Sequence, residues 1–123
     1  MAKKVLVVDD EPAIANLAKI KLTNQGFDVT TANSGKEALA SVASDPPDVM
    51  VLDVMMPGMD GWEVASRMKG DPDTKHIPIL MLTALGLGEE SRPEFVNVDE
   101  YYTKPFDGAT LVKIVRRLAG RDD

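Results

Sequence analysis

The chain contains no cysteine, a single histidine and a single tryptophan, and only 5% of its 123 residues are aromatic. Without cysteine there is no disulfide framework and no thiolate to act as nucleophile or metal ligand, and a reducing cytoplasm suits such a composition. No apolar run approaches the ~20 residues needed to cross a bilayer. The short run in MAKKVLVVDD meets two acids too soon to be a signal peptide. Positive charge is also scarce: 14 basic residues against 20 acidic ones give a net charge of −6. That balance argues against direct nucleic-acid binding. A GxGxxG pattern is absent, since Gly58 and Gly61 fall in a turn, and with it goes the usual dinucleotide cradle. What is present is ordinary: 44% hydrophobic and 28% charged residues, with no repeat and no low-complexity tract. These values predict one globular domain over residues 1–123, with one core and two flanking layers.

Five short apolar runs alternate with amphipathic stretches. Val5 to Val8 is a continuous β-branched and leucine run, as expected of a strand buried on both faces. Pro12 suits a first helical turn, and Ala13, Leu17 and Ile20 then recur at helical spacing as the expected apolar stripe. Gly26 is placed for a left-handed helix stop. Phe27 to Ala32 is mixed in polarity and reads as an edge strand. Ser34 and Glu37 are spaced as a capping box for a second helix that Asp45-Pro46-Pro47 ends. Val49 to Leu52 is a third strand. Asp60 and Glu63 cap a helix to about Lys69, Ile79 to Leu82 is a fourth strand, and Tyr101 to Thr103 a fifth. Gly108 to Ala119 forms the last helix, with Leu111, Val115 and Leu118 on one face. Between Thr83 and Asp99, Gly86, Gly88 and Pro93 interrupt the rhythm. Proline costs about 3 kcal/mol inside a helix, so a short, distorted or mobile fourth helix is expected over 86–98.

Strands alternating with helices imply right-handed βαβ units and a parallel sheet covered on both faces. Ligands of such sheets sit beyond the carboxyl ends of the strands, where Asp9, Asp10, Asp53, Thr83 and Lys104 all fall. Two unit charges 4 Å apart cost on the order of 4 kcal/mol at an effective dielectric near 20. A divalent cation relieves that repulsion, and oxygen-only donors favour Mg²⁺ or Mn²⁺ over zinc. Lys104 and the Thr83 hydroxyl add a charge and a donor on the side where a phosphate would lie. A carboxylate can itself attack a phosphoryl group to give an aspartyl phosphate. Taken singly, Asp9 and Asp10 could be helix-capping acids ahead of Pro12, Asp53 could cap a turn, and Thr83 could merely end a strand.

The segments VLVVDDEP, VLDVMMPGMDG, MLTA and DEYYTKPF, in that order, resemble the receiver domain of two-component response regulators. The resemblance covers essentially the whole chain. It implies a flavodoxin-like doubly wound α/β fold with a five-stranded parallel sheet in the order 2-1-3-4-5. It also implies roles. Asp53 would be the phosphoacceptor for a histidine kinase or histidine phosphotransfer protein, and Asp10, Asp53 and the Met55 carbonyl would ligate Mg²⁺. Asp9 would act on the metal through water. Lys104 would pair with Asp53 and then with the phosphate, Thr83 and Tyr101 would be the switch pair, and Lys104-Pro105 would be a cis peptide. The surface of the fourth helix, fifth strand and last helix would control a partner or effector domain in the cytoplasm, away from membranes. Apolar residues two beyond Asp53 and Thr83, Met55 and Leu85, leave no polar group there to orient water, so slow self-dephosphorylation is expected. His76 is expected at the surface without a role. Trp62 is expected near the pocket, chiefly in packing. Two rival functions carry the same residues: a metal-dependent phosphohydrolase, disfavoured because Met55 is not an acid, and a phosphorylation-independent interaction module.

Overall fold

The computed structural model describes residues 2–83, 98–104 and 106–120. Five parallel strands form one sheet: β1 (Lys4–Val8), β2 (Asp28–Ala32), β3 (Val49–Asp53), β4 (Ile79–Thr83) and β5 (Glu100–Thr103). Their order is β2-β1-β3-β4-β5, so the polar β2 lies at an edge as its sequence predicts. Four helices are described: α1 (Pro12–Thr23), α2 (Gly35–Ser44), α3 (Gly61–Lys69) and α4 (Gly108–Ala119). The irregular segment expected over 86–98 lies outside the described residues except for Val98, and so does Pro105 with its peptide bond.

The period-2 alternation of strand side chains divides the core in two. Val5, Val7, Val49, Val51, Leu80 and Leu82 face α1 and α4. Leu6, Val8, Met50, Leu52, Ile79 and Met81 face α2 and α3. Every residue of β3 and β4 is buried, which explains why these strands read as unbroken apolar runs. The two caps read from sequence form: Ser34 Oγ accepts the Glu37 N–H at 3.1 Å and Asp60 Oδ1 accepts the Glu63 N–H at 2.9 Å. Glu37 reaches back one residue further than a standard box, accepting the Asn33 N–H at 3.3 Å.

The chain leaves α1 through a Schellman turn. Gly26, at φ +94°, donates to the Thr23 carbonyl, and Phe27 donates to the Leu22 carbonyl. Phe27 thereby belongs to the turn, and β2 begins one residue later than expected.

The expected stripe of α1 is wrong. Leu17 and Ile20 are 44% and 47% exposed, Ala13 is exposed too, and the helix instead buries Ala15, Ala18 and Leu22. Both stripes have helical spacing, so periodicity alone cannot choose between them. The choice follows from bulk: two alanines let the helix lie close to the sheet, and Leu22 fills the space at its end.

A second tie holds the far end of the sheet. Asp99 accepts the Ile79 N–H at 2.8 Å, donates its own N–H to the Ile79 carbonyl at 3.0 Å, and lies 3.5 Å from Lys69 Nζ. Lys69 also donates to the Ile77 carbonyl at 2.9 Å. The end of α3 and the starts of β4 and β5 are therefore pinned together.

Candidate metal and phosphoryl site

Three strand ends bring the site together. Asp53 is the last residue of β3, Asp9 and Asp10 follow β1, and Lys104 follows β5. Asp9 and Asp53 are almost fully buried, at 1% and 3% exposure, and Asp10 is half-buried. One carboxylate oxygen from each of the three acids lies within 4.8 Å of the others. Lys104 Nζ stands 3.0 Å from Asp9 Oδ2 and 3.1 Å from Asp53 Oδ1. The expected Asp53–Lys104 pair is therefore present, but the lysine is shared with Asp9, a pairing that spacing along the chain does not reveal.

The surroundings fix this geometry. Asp9 Oδ1 accepts the Glu11 N–H at 2.9 Å, and Asn33 Nδ2 donates to the Asp9 carbonyl at 3.1 Å. Asn33 thus ties the loop after β2 to the acidic turn; its signal in the sequence is only its place at the end of a strand. Thr83 is buried at the end of β4, one residue past the partner of Asp53 in the sheet register. Its carbonyl accepts the Lys104 N–H at 2.7 Å, which links the backbone of the hydroxyl residue to that of the lysine. Tyr101, opposite Met81 in the sheet, is half-buried with its ring centroid 6.0 Å from that of Trp62. Met55 projects its side chain outward at 56% exposure, and His76 is exposed.

Electrostatics show the strain of gathering acids here. Burial, then the charge of Asp9, push the Asp53 carboxyl up to about 6, against the opposing pull of Lys104. Burial works against the Lys104 charge, but hydrogen bonds and attraction from Asp9 and Asp53 outweigh it, and its pKa is raised. Three hard oxygen donors converging on one point suit a small divalent cation such as Mg²⁺ or Mn²⁺, which would offset the repulsion.

Gly61 sets the distance between α3 and the end of β3. A Cβ there would lie 2.3 Å from the Asp53 carbonyl oxygen and 2.9 Å from Val54 Cα, both backbone atoms. Gly61→Ala is accordingly expected to cost about 2 kcal/mol through overpacking, measured by urea unfolding. Wild-type stability in that variant would contradict the close approach.

Comparison with known proteins decides the family. The sequence profile described as the response regulator receiver domain matches residues 5–116. This chain is a response regulator receiver domain. The receiver is 44% identical over 119 residues to the response regulator PleD of Caulobacter vibrioides, covering 96% of this chain and 26% of PleD. It is 40% identical over 121 residues to the DNA-binding dual master transcriptional regulator RpaA of Synechocystis, covering 98% of this chain and 50% of RpaA. The receiver thus spans a quarter to a half of these relatives. Among solved structures, the signal receiver domain of a histidine kinase from Syntrophus aciditrophicus gives a TM-score of 0.92 at 32% identity, covering 99% of this chain and 93% of that one. The chemotaxis response regulator CheY4 of Vibrio cholerae gives 0.86 at 33%, covering 96% and 99%. The flavodoxin-like architecture and the 2-1-3-4-5 order are those of this family. No helix among the described residues is long and apolar enough to cross a membrane.

Proposed function

We propose that this receiver is a phosphorylation-activated switch whose phosphoacceptor is Asp53. The observation that carries the reading is Asp53 at the meeting point of Asp9, Asp10 and Lys104, with an ionisable carboxylate facing a cationic group. An Asp53 oxygen attacks the phosphorus of a phosphohistidine, the N–P bond breaks, and the imidazole leaves, taking up a proton. Lys104, held at 3.1 Å, neutralises charge on the transferring oxygens. Asp10 and Asp53, with the Met55 carbonyl, are the residues that would hold Mg²⁺ (or Mn²⁺), with Asp9 acting through water; the ion supplies further charge neutralisation on the phosphoryl oxygens.

After transfer, Thr83 is the hydroxyl that donates to a phosphoryl oxygen, and Tyr101, two residues before Thr103 on the neighbouring strand, is the ring that responds. The donor is a sensor histidine kinase or histidine phosphotransfer protein in the cytoplasm. The readout passes through β5 and the last helix to an effector domain or partner protein. DNA binding, where the regulator has it, belongs to another part of the polypeptide, as acidic residues outnumber basic ones by 20 to 14 here.

The test is transfer of radiolabel from acetyl phosphate or a phosphohistidine donor. Label is expected on the wild type only with Mg²⁺ or Mn²⁺ present, to persist for minutes or longer, and to be absent from Asp53→Asn. Equal labelling of Asp53→Asn, or labelling that ignores chelator, would overturn the assignment.

A further inference from the structure

On an acidic chain, one surface carries the opposite charge. Two adjoining cavities of about 720 and 340 Å³ run along α4 and share Gln25 and Arg116. Lys21, Lys113, Arg116 and Arg117 line the first, with Asn24 and Gln25, and Lys3 lines the second. No carboxylate lines either among the described residues. This clustering occurs on a chain whose acids outnumber its bases by 20 to 14.

Three of these cations, Lys21, Lys113 and Arg116, make no ion pair among the described residues. Lys113 is exposed and has no ion-pair partner among the described residues. The aliphatic stem of Lys21 lies across Gly108, about 3.0 Å from where a Cβ would stand, which leaves its ammonium beside the trough. Asp107 attracts Lys21 electrostatically without an ion pair between them, and its carboxylate accepts from the Ala109 N–H and the Thr110 hydroxyl. The Arg116 guanidinium rests on the Phe27 ring at 5.9 Å and meets the Gln25 amide oxygen at 3.5 Å, contacts that orient it while leaving its charge unneutralised. Arg117, by contrast, is paired with Glu100.

We propose that this trough between the end of α1 and the length of α4 binds an extended acidic polypeptide segment of a partner protein. Its length follows from α4, whose 12 residues span about 18 Å and so match five or six extended residues. Its chemistry follows from the lining. Unneutralised cations meet side-chain carboxylates, the Asn24 and Gln25 amides can both donate to and accept from peptide groups, and Val112 and Ala109 give an apolar floor. A nucleic-acid strand fits less well, because no residue lining the larger cavity is aromatic and bases would have no ring to stack on. The surface is separate from the Asp53 site and does not depend on the phosphoryl reading.

Fluorescence anisotropy with a fluorescein-labelled hexaglutamate peptide tests the proposal on the full chain. Saturable binding in 50 mM NaCl is expected, weakened at least tenfold by Lys21→Glu/Lys113→Glu and by 300 mM NaCl. Lys36→Glu/Lys75→Glu, which reverses the same number of exposed lysines away from the trough, is expected to leave it within twofold, with circular dichroism reporting the fold of both variants. No saturable binding, equal losses in the two double variants, or tighter binding of a labelled hexathymidylate than of the peptide would overturn the proposal.

Discussion

Lys104→Met is expected to destabilise the receiver by about 3 kcal/mol in metal-free buffer at pH 7.5, because it strands two buried carboxylates. Asp9 and Asp53 are 1% and 3% exposed, and the Lys104 ammonium is the cation within 3.1 Å of both. Methionine keeps the apolar stem and removes only the charge, so the loss reports electrostatics rather than a cavity. The pH dependence has a definite sign. Lys104 holds the Asp53 carboxyl down, so its removal raises a pKa that already stands at about 6. Below that value the folded variant takes up a proton that relieves the repulsion, and its deficit should shrink as pH falls from 7.5 toward 5. Saturating Mg²⁺ should also restore more stability to the variant than to the wild type. Urea unfolding across this pH range checks both statements; a deficit independent of pH would show the lysine to be a packing residue.

Asp53→Asn should act in the opposite direction. An acid whose pKa is raised from 3.8 to about 6 on folding opposes folding wherever it is ionised in both states. The stability it forfeits is lost as pH rises from about 4 through 6, and amounts to about 3 kcal/mol at pH 7.5. Asparagine removes the charge at nearly constant volume and leaves Lys104 paired with Asp9 at 3.0 Å. Thermal unfolding in EDTA should therefore shift upward by about 10 °C at pH 7.5 and by little at pH 4. A lower melting temperature at pH 7.5 would mean that the Asp53–Lys104 attraction exceeds the combined cost of burial and of facing Asp9. The same substitution is expected to abolish phosphoryl transfer, so stability and function would separate at a single atom pair.

The architecture was readable because its local signals agree. Strands β3 and β4 are buried along their whole length, so they announce themselves as apolar runs, and the Ser34 and Asp60 caps mark helix starts by side-chain chemistry alone. The site was readable for a related reason, since in a parallel sheet the carboxyl ends of strands converge. An acid ending an apolar run can then be placed without knowing any distance. What escaped was whatever depends on contacts between elements. Leu17 and Ile20 have the right spacing for a core face, but only the closeness of α1 to the sheet selects Ala15, Ala18 and Leu22. Lys104 is 95 residues from Asp9, and no pattern in the chain says that one ammonium serves both acids. The Asn33 bond to the Asp9 carbonyl is equally silent, because it joins two loops through a residue with no distinctive spacing.

Strand β5 is fastened to β4 at both of its ends. One fastening is the clasp of Asp99 with Ile79 and Lys69, at the end of the sheet remote from the acids. The other is the Lys104 N–H donated to the Thr83 carbonyl, beside the acids. Held at both ends, the strand resists slipping, and a slip of one residue would turn every side chain of β5 to the opposite face of the sheet. The reach of the Lys104 ammonium toward Asp9 and Asp53 is therefore set by register, and a change of charge at Asp53 is met by the lysine side chain rather than by movement of its strand.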